Sequence, residues 1–206
     1  MFYYISGEIA LKTDSFAVID AGGVGYRLYA STKTLETMGA VGDFAKLYTY
    51  TNFKASADVF DIYGFATLEE LNLFEMIIGV QRVGAKTALS LLSNISPSKF
   101  ALCVVTNDYK YIASQTPGLG AKGAERIVLE LKDKLSKGQS ISASGEAVKV
   151  DAVTIIPQNK VSEASAALAV LGYSQAEISV ALKGVDVESL SLEQIIRAAL
   201  KNMVKG

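Results

Sequence analysis

The chain has 206 residues, half of them apolar, with 20 basic and 21 acidic side chains and a formal net charge of -1. It has no histidine and a single cysteine, Cys103, which excludes histidine acid–base chemistry, the usual nucleophile triads, His-containing zinc sites and any internal disulfide or thiolate cluster. A near-neutral balance also excludes holding a polyanion through a bulk positive field, so an anion site here has to be built from placed groups.

In chain order, Phe2 to Leu11, Ser15 to Asp20, Gly25 to Ala30, Phe44 to Thr51 and Val59 to Phe65 are rich in Tyr, Phe, Val and Ile and are separated by Thr13-Asp14, Ala21-Gly22-Gly23 and Gly42-Asp43. Five short strands with a helical turn at Thr34 to Met38 predict a small barrel of the OB type. Gly22, Gly23 and Gly25 are followed by a strand, not a helix, so they mark a hairpin and not a dinucleotide site. Asn52 to Asp58 is too polar for a barrel interior and is expected to project as a loop tip.

At Thr67 the period changes. Thr67-Leu68-Glu69-Glu70 reads as a capping box, and Leu68, Leu71, Phe74, Ile77 and Ile78 fall on one helical face that ends at Gly79. Helices are predicted over Gly84 to Ser93, from the Ser96-Pro97 cap to about Val105, over Asp108 to Ser114, and from Gly120 to Leu135. The last opens from the turn Pro117-Gly118-Leu119-Gly120-Ala121-Lys122, and Val83-Gly84-Ala85-Lys86 stands upstream as a second copy, with Gly-Ala-Lys and a later Ala coinciding at an offset of 36 residues. Each glycine turn leads into a helix N-terminus, whose free N–H groups and dipole suit an anion, and Lys86, Lys122 and Arg126 add charge. Gly79 and Gly84 have the gap of a nucleotide-binding Walker A loop, but that motif needs Lys directly after the second glycine, and Ala85 intervenes.

Lys137 to Asn159, rich in Ser and Gly, reads as a linker. Three short helices follow: Ser162 to Leu171, a second capped by Ser174 with Glu177 and running to about Lys183, and a third from the Ser191-Leu192-Glu193-Gln194 box to Met203. So small a bundle has little core of its own, and Leu168, Leu171, Tyr173 and Leu200 are candidates either for that core or for an exposed face that serves a partner. The N-terminus carries no basic leader and no segment reaches membrane-spanning length, so a cytoplasmic protein without membrane contact is expected.

Phe2 to Gly7, Tyr63-Gly64-Phe65, Val83-Gly84-Ala85-Lys86, Pro117 to Arg126 and Ala169-Val170-Leu171-Gly172-Tyr173 together resemble the bacterial RuvA family of Holliday-junction branch-migration proteins, in order and over essentially the whole chain. The resemblance implies an α+β protein in parts: an OB-type barrel at 1–63, a tandem helix-hairpin-helix DNA-binding domain at 64–136, a flexible linker at 137–160 and a three-helix UBA-like module at 161–206. It further implies a subunit without catalysis or cofactor that serves recombination and DNA repair. It would assemble as a homotetramer, or as two tetramers face to face, and hold four-way junction DNA open. Arg82, Val83, Gly84, Lys86, Gly118, Gly120, Lys122 and Arg126 would contact phosphates. Leu168, Leu171, Tyr173 and Leu200 would meet a RuvB-type hexameric ATPase, which owns the ATP hydrolysis, and a RuvC-type resolvase would be a further partner.

Two positions depart from the family pattern. Arg82 stands where the first turn usually has glycine, so that turn has either ordinary dihedrals or strain. Of the paired carboxylates that form an acidic pin at the junction centre, only Asp58 is present, with Ala57 beside it. The downstream turn, with both glycines, Lys122 and Arg126, is expected to be the stronger clamp. The rival readings are an accessory subunit of a helix-hairpin-helix nuclease and a protein-interaction adapter with no DNA role.

Overall fold

The computed structural model describes residues 2–54, 59–136, 139–141, 147–149 and 160–203. Strands β1 (Tyr4–Lys12), β2 (Phe16–Asp20), β3 (Gly25–Tyr29), β4 (Phe44–Lys54) and β5 (Val59–Phe65) close into a barrel in the order β1-β2-β3-β5-β4. All neighbouring pairs are antiparallel except β3 and β5, which meet at Tyr29 and Tyr63. Inward alternation places Ile5, Ile9, Ile19, Leu28, Leu47 and Ile62 in the barrel core. Gly7 is required where β1 crosses the end of β2, because a Cβ there would lie 1.9 Å from the Asp20 carbonyl oxygen. Helix α1 (Thr32–Thr37), capped by Ser31, fills the gap between β3 and β4.

Helices α2 (Leu68–Ile78), α3 (Ala85–Asn94), α4 (Pro97–Thr106), α5 (Tyr109–Gln115) and α6 (Ala121–Ser136) follow the barrel. An aromatic seam joins the two parts: Phe74 of α2 lies 4.9 Å from Phe65, 5.2 Å from Tyr63 and 5.4 Å from Tyr50, ring centre to ring centre. The expected capping box at Thr67 is half formed. Thr67 accepts from the Glu70 N–H, but the Glu70 carboxylate takes its bonds from the Ala66 N–H at 3.0 Å and the Thr34 hydroxyl at 2.9 Å. A partner from α1 has captured it, and Glu70 stitches three elements instead of closing one turn.

Six positions of the stretch expected to be a linker carry strand structure. Gln139–Ile141 (β6) and Ala147–Lys149 (β7) pair as a two-stranded antiparallel sheet; the remainder of 137–159 lies outside the described residues. Helices α7 (Lys160–Val170), α8 (Gln175–Ala181) and α9 (Leu192–Met203) then pack on one another. The boxes at Ser174 and Ser191 are both complete. These helices share one continuous apolar core with the middle helices, running from Tyr63 to Ala199, because α7 and α9 lie against α4. Among the described residues no single helix is long and apolar enough to cross a membrane.

Candidate nucleic-acid interface

The sequence repeat is also a repeat of burial. Helix α3 buries Ala88, Leu91 and Leu92, and α6 buries Ala124, Ile127 and Val128, each 36 residues further on. Spacing of three and four turns one apolar stripe of each helix inward and leaves its first turn at the surface. Lys86 and Lys122, at the second position of their helices, are both exposed.

The two turns have the same backbone plan. In the downstream one Leu119 N–H donates to the Thr116 carbonyl at 3.0 Å, with Pro117 and Gly118 between them and Gly118 at φ +83°. In the upstream one Val83 N–H donates to the Val80 carbonyl at 3.2 Å, with Gln81 and Arg82 between them and Arg82 at φ +64°. A left-handed third residue is the type II pattern, which glycine adopts freely and which costs other residues about 1–2 kcal/mol. The alternative left open for Arg82 is thereby decided: it occupies the glycine conformation and bears the strain. Val83 and Leu119, the fourth residues, are half-buried and buried plugs that anchor each turn to the core. Val83, with its side chain in the core and its N–H spent on the Val80 carbonyl, shapes the turn instead of donating to a ligand.

Gly84 is the N-cap of α3 and makes no side-chain cap, so the first N–H groups of that helix lack an intramolecular side-chain acceptor. Gly120 precedes α6 in the same way, although its carbonyl takes back the N–H groups of Gly123 and Ala124. A Cβ added at Gly84, Gly118 or Gly120 would meet nothing within 4 Å, so the space above both turns is open to a ligand's close approach.

Two bridges tie the turns together, and they are each other's image. Ser90 of α3 donates to the Pro117 carbonyl at 3.4 Å, and Arg126 of α6 donates through Nη1 to the Gln81 carbonyl at 3.5 Å. Ser90 and Arg126 are separated by 36 residues, as are Gln81 and Pro117. Each unit thus reaches across a local two-fold to the residue before the left-handed position of the other. The structure brings Arg82, Gly84, Lys86, Gly118, Gly120, Lys122 and Arg126 onto this one assembly, with Arg126 turned to the upstream turn and away from its own. Sequence reasoning missed Gln81 and Ser90; applying the 36-residue offset to every polar position around the turns would have exposed the reciprocal pairing.

Asp58 and Ala57 lie outside the described residues. The hairpin that leads to them is described: β1 pairs with β4 only as far as Tyr48, whereas β4 and β5 continue paired to Lys54 and Val59, so a two-stranded ribbon runs on beyond the barrel. It carries an exposed edge-to-face pair, Phe53 and Phe60, which the sequence reading did not single out.

Of the two readings left open for the terminal helices, core or exposed face, burial within this chain favours the core. Leu168 and Leu171 have no accessible surface, and Tyr173 and Leu200 are half-buried against the common core. The module is too small to bury these residues alone, and α4 supplies what it lacks. Burial first, and then the negative charge of the nearby Glu69 of α2, push the Tyr173 phenol above its ordinary range. Cys103 of α4 is buried as expected, and burial pushes its thiol up to about 11.

Comparison with known proteins agrees with this layout. Residues 1–64 match the family model described as the RuvA N terminal domain, 74–133 the SAM-like helix-hairpin-helix tandem, and 159–204 the RuvA C-terminal domain. Among curated relatives, the Holliday junction branch migration complex subunit RuvA of Acetivibrio thermocellus is 42% identical over 205 residues, covering 100% of both chains. The protein of that name from Ruminiclostridium cellulolyticum is 39% identical, covering 98% of this chain and 100% of its own. That of Clostridium botulinum is 40% identical with 100% of both covered. With the barrel, the paired turns and the terminal helices all accounted for along the full length, the chain belongs to the RuvA family of Holliday junction branch migration complex subunits.

Proposed function

We propose that this protein binds four-way DNA junctions through their shape, performs no covalent step itself, and works as a homotetramer that places a RuvB-type hexameric ATPase on the junction arms. The observation that carries this reading is the braced pair of turns. Two open, cation-bearing backbone loops, fixed relative to each other by reciprocal bridges, suit two phosphate positions on one duplex. Phosphate contacts position a duplex without reading its sequence, which fits a binder selective for structure. A weakened acidic pin at Asp58, and a RuvC-type resolvase as a later partner, belong to the same proposal.

The test is competition in a gel-shift titration between a four-way junction and a linear duplex of equal length, without magnesium. Strong preference for the junction with no cleavage is expected, and equal affinity for the two would remove the reading. Replacing both Lys86 and Lys122 with Ala should weaken binding across sequences. It should also make the slope of log K against log salt shallower by about 2 for each bound subunit, since each phosphate left without its cation takes about 0.9 from the slope. Stimulation of the motor's ATPase on junction DNA tests the second half of the proposal independently.

A further inference from the structure

We infer that the upstream turn is the principal phosphate clamp of the pair, that Arg82 is its main cation, and that Arg126 serves this turn although it grows from the helix of the other. The inference rests on the phosphate-binding reading above and reverses the ranking that the sequence suggests. Arg82 holds a left-handed conformation that glycine holds at the equivalent Gly118. Its side chain is exposed, and among the described residues no hydrogen bond or ion pair ties its guanidinium to the protein. Nothing among the described residues offsets the strain of a side chain at this position; what arginine adds over glycine is a forked cation at the mouth of the turn. The fork matches two oxygens of a phosphodiester.

The reciprocal bridges sharpen the asymmetry. At the Gln81 carbonyl, one residue before Arg82, the visitor from the other unit is Arg126; at the equivalent Pro117 carbonyl it is the uncharged Ser90. The upstream turn consequently collects Arg82, Lys86 and the head of Arg126, and the downstream turn keeps Lys122. Cations gathered at adjacent residues suit one phosphate set against both.

The experiment measures junction affinity and its salt dependence for the full-length protein and for Arg82→Gln, Arg82→Gly, Arg126→Gln and Lys122→Ala, with the doubles Arg82→Gln/Arg126→Gln and Lys122→Ala/Arg126→Gln. Per bound subunit, both Arg82 variants should bind about tenfold more weakly with a slope shallower by about 0.9, and Lys122→Ala should lose less. Arg126→Gln should be non-additive with Arg82→Gln and additive with Lys122→Ala. Arg82→Gln keeps the left-handed position occupied by a side chain and Arg82→Gly relieves it, so equal binding losses from the two assign the effect to the charge. A wild-type protein that binds junctions while both Arg82 variants match it in affinity and slope would overturn the inference, as would coupling of Arg126 to Lys122 instead of Arg82. A wild-type protein with no junction preference would overturn the function proposed above and is thereby told apart.

Discussion

At Arg82 and Gly118 one backbone conformation is met by opposite residue choices, and the difference is measurable in the absence of any ligand. A Cβ at Gly118 would touch nothing within 4 Å, so Gly118→Ala adds backbone strain without a clash. It should cost about 1 kcal/mol, lowering Tm by about 2–4 °C for a chain of this size. Arg82→Gly should act in the other direction. Relief of about 1–2 kcal/mol is partly offset by the greater freedom of glycine in the unfolded chain, leaving a rise of about 1–3 °C in thermal unfolding. The sequence shows a missing glycine at position 82 but not which dihedral results, because the decision is made by Val80 and Val83 closing the turn. Tyr63 carries a pH signature at the same scale. Burial, then the Asp61 charge, push its phenol from 10.0 up to about 12, so the folded state favours the neutral form. Its contribution is complete below pH 10 and is lost as the pH rises toward 12, on the order of 2 kcal/mol. Denaturant titrations across that window should show Tyr63→Phe declining less steeply than the wild type.

Elements were legible where a local signal was also the winning interaction, and obscure where a distant partner outbid it. Ser96-Pro97, Ser174 with Glu177, and Ser191 with Gln194 start helices as read, because their bonds close within one turn. Glu70 did not close its box, since Thr34 and Ala66 offered a hydroxyl and an N–H at shorter range than a full reciprocal cap. Sequence could not reveal this, as residues 34 and 70 meet only after the barrel has formed. The carboxylate consequently holds α1, the barrel exit and α2 in register, and the upstream turn follows directly from α2. Glu70→Ala should lower stability by about 1–3 kcal/mol, the range for hydrogen bonds to a charged group. A Tm within about 1 °C of wild type would show that the stitch is ornamental. The pairing of β6 with β7 was invisible for a different reason, since three residues are too few to display a period of two.

For the molecule as a whole the boundary that matters is the seam between α4 and the terminal helices, where one chain segment completes the core of another. The sequence separates these parts by a Ser/Gly-rich stretch; what it does not show is that α7 and α9 lie against α4 and share its apolar core. Apolar burial holds this seam, and the Tyr173 phenol stands beside it under the negative charge of Glu69. Cys103 lies on α4, and Glu193 of α9 is among the charges that act on its thiol, so it stands at the seam as a built-in reporter. With its thiol buried and pushed up to about 11, little thiolate exists at pH 8 and reagent has no access while the helices stay docked. Labelling by a disulfide reagent should therefore be slow and limited by opening. Tyr173→Phe removes the phenol hydroxyl and leaves the apolar contacts in place; if that hydroxyl contributes about 1–2 kcal/mol, labelling should accelerate about 5- to 30-fold while Tm falls by about 2–8 °C. If the variant labels at the wild-type rate and both rates equal that of global unfolding, the seam opens only with the whole fold and the terminal helices cannot part from α4 as a unit. If labelling outruns global unfolding in the wild type and more so in the variant, α7, α8 and α9 leave as a body. The apolar residues α4 now covers would then be free for another partner, without disturbing the paired turns.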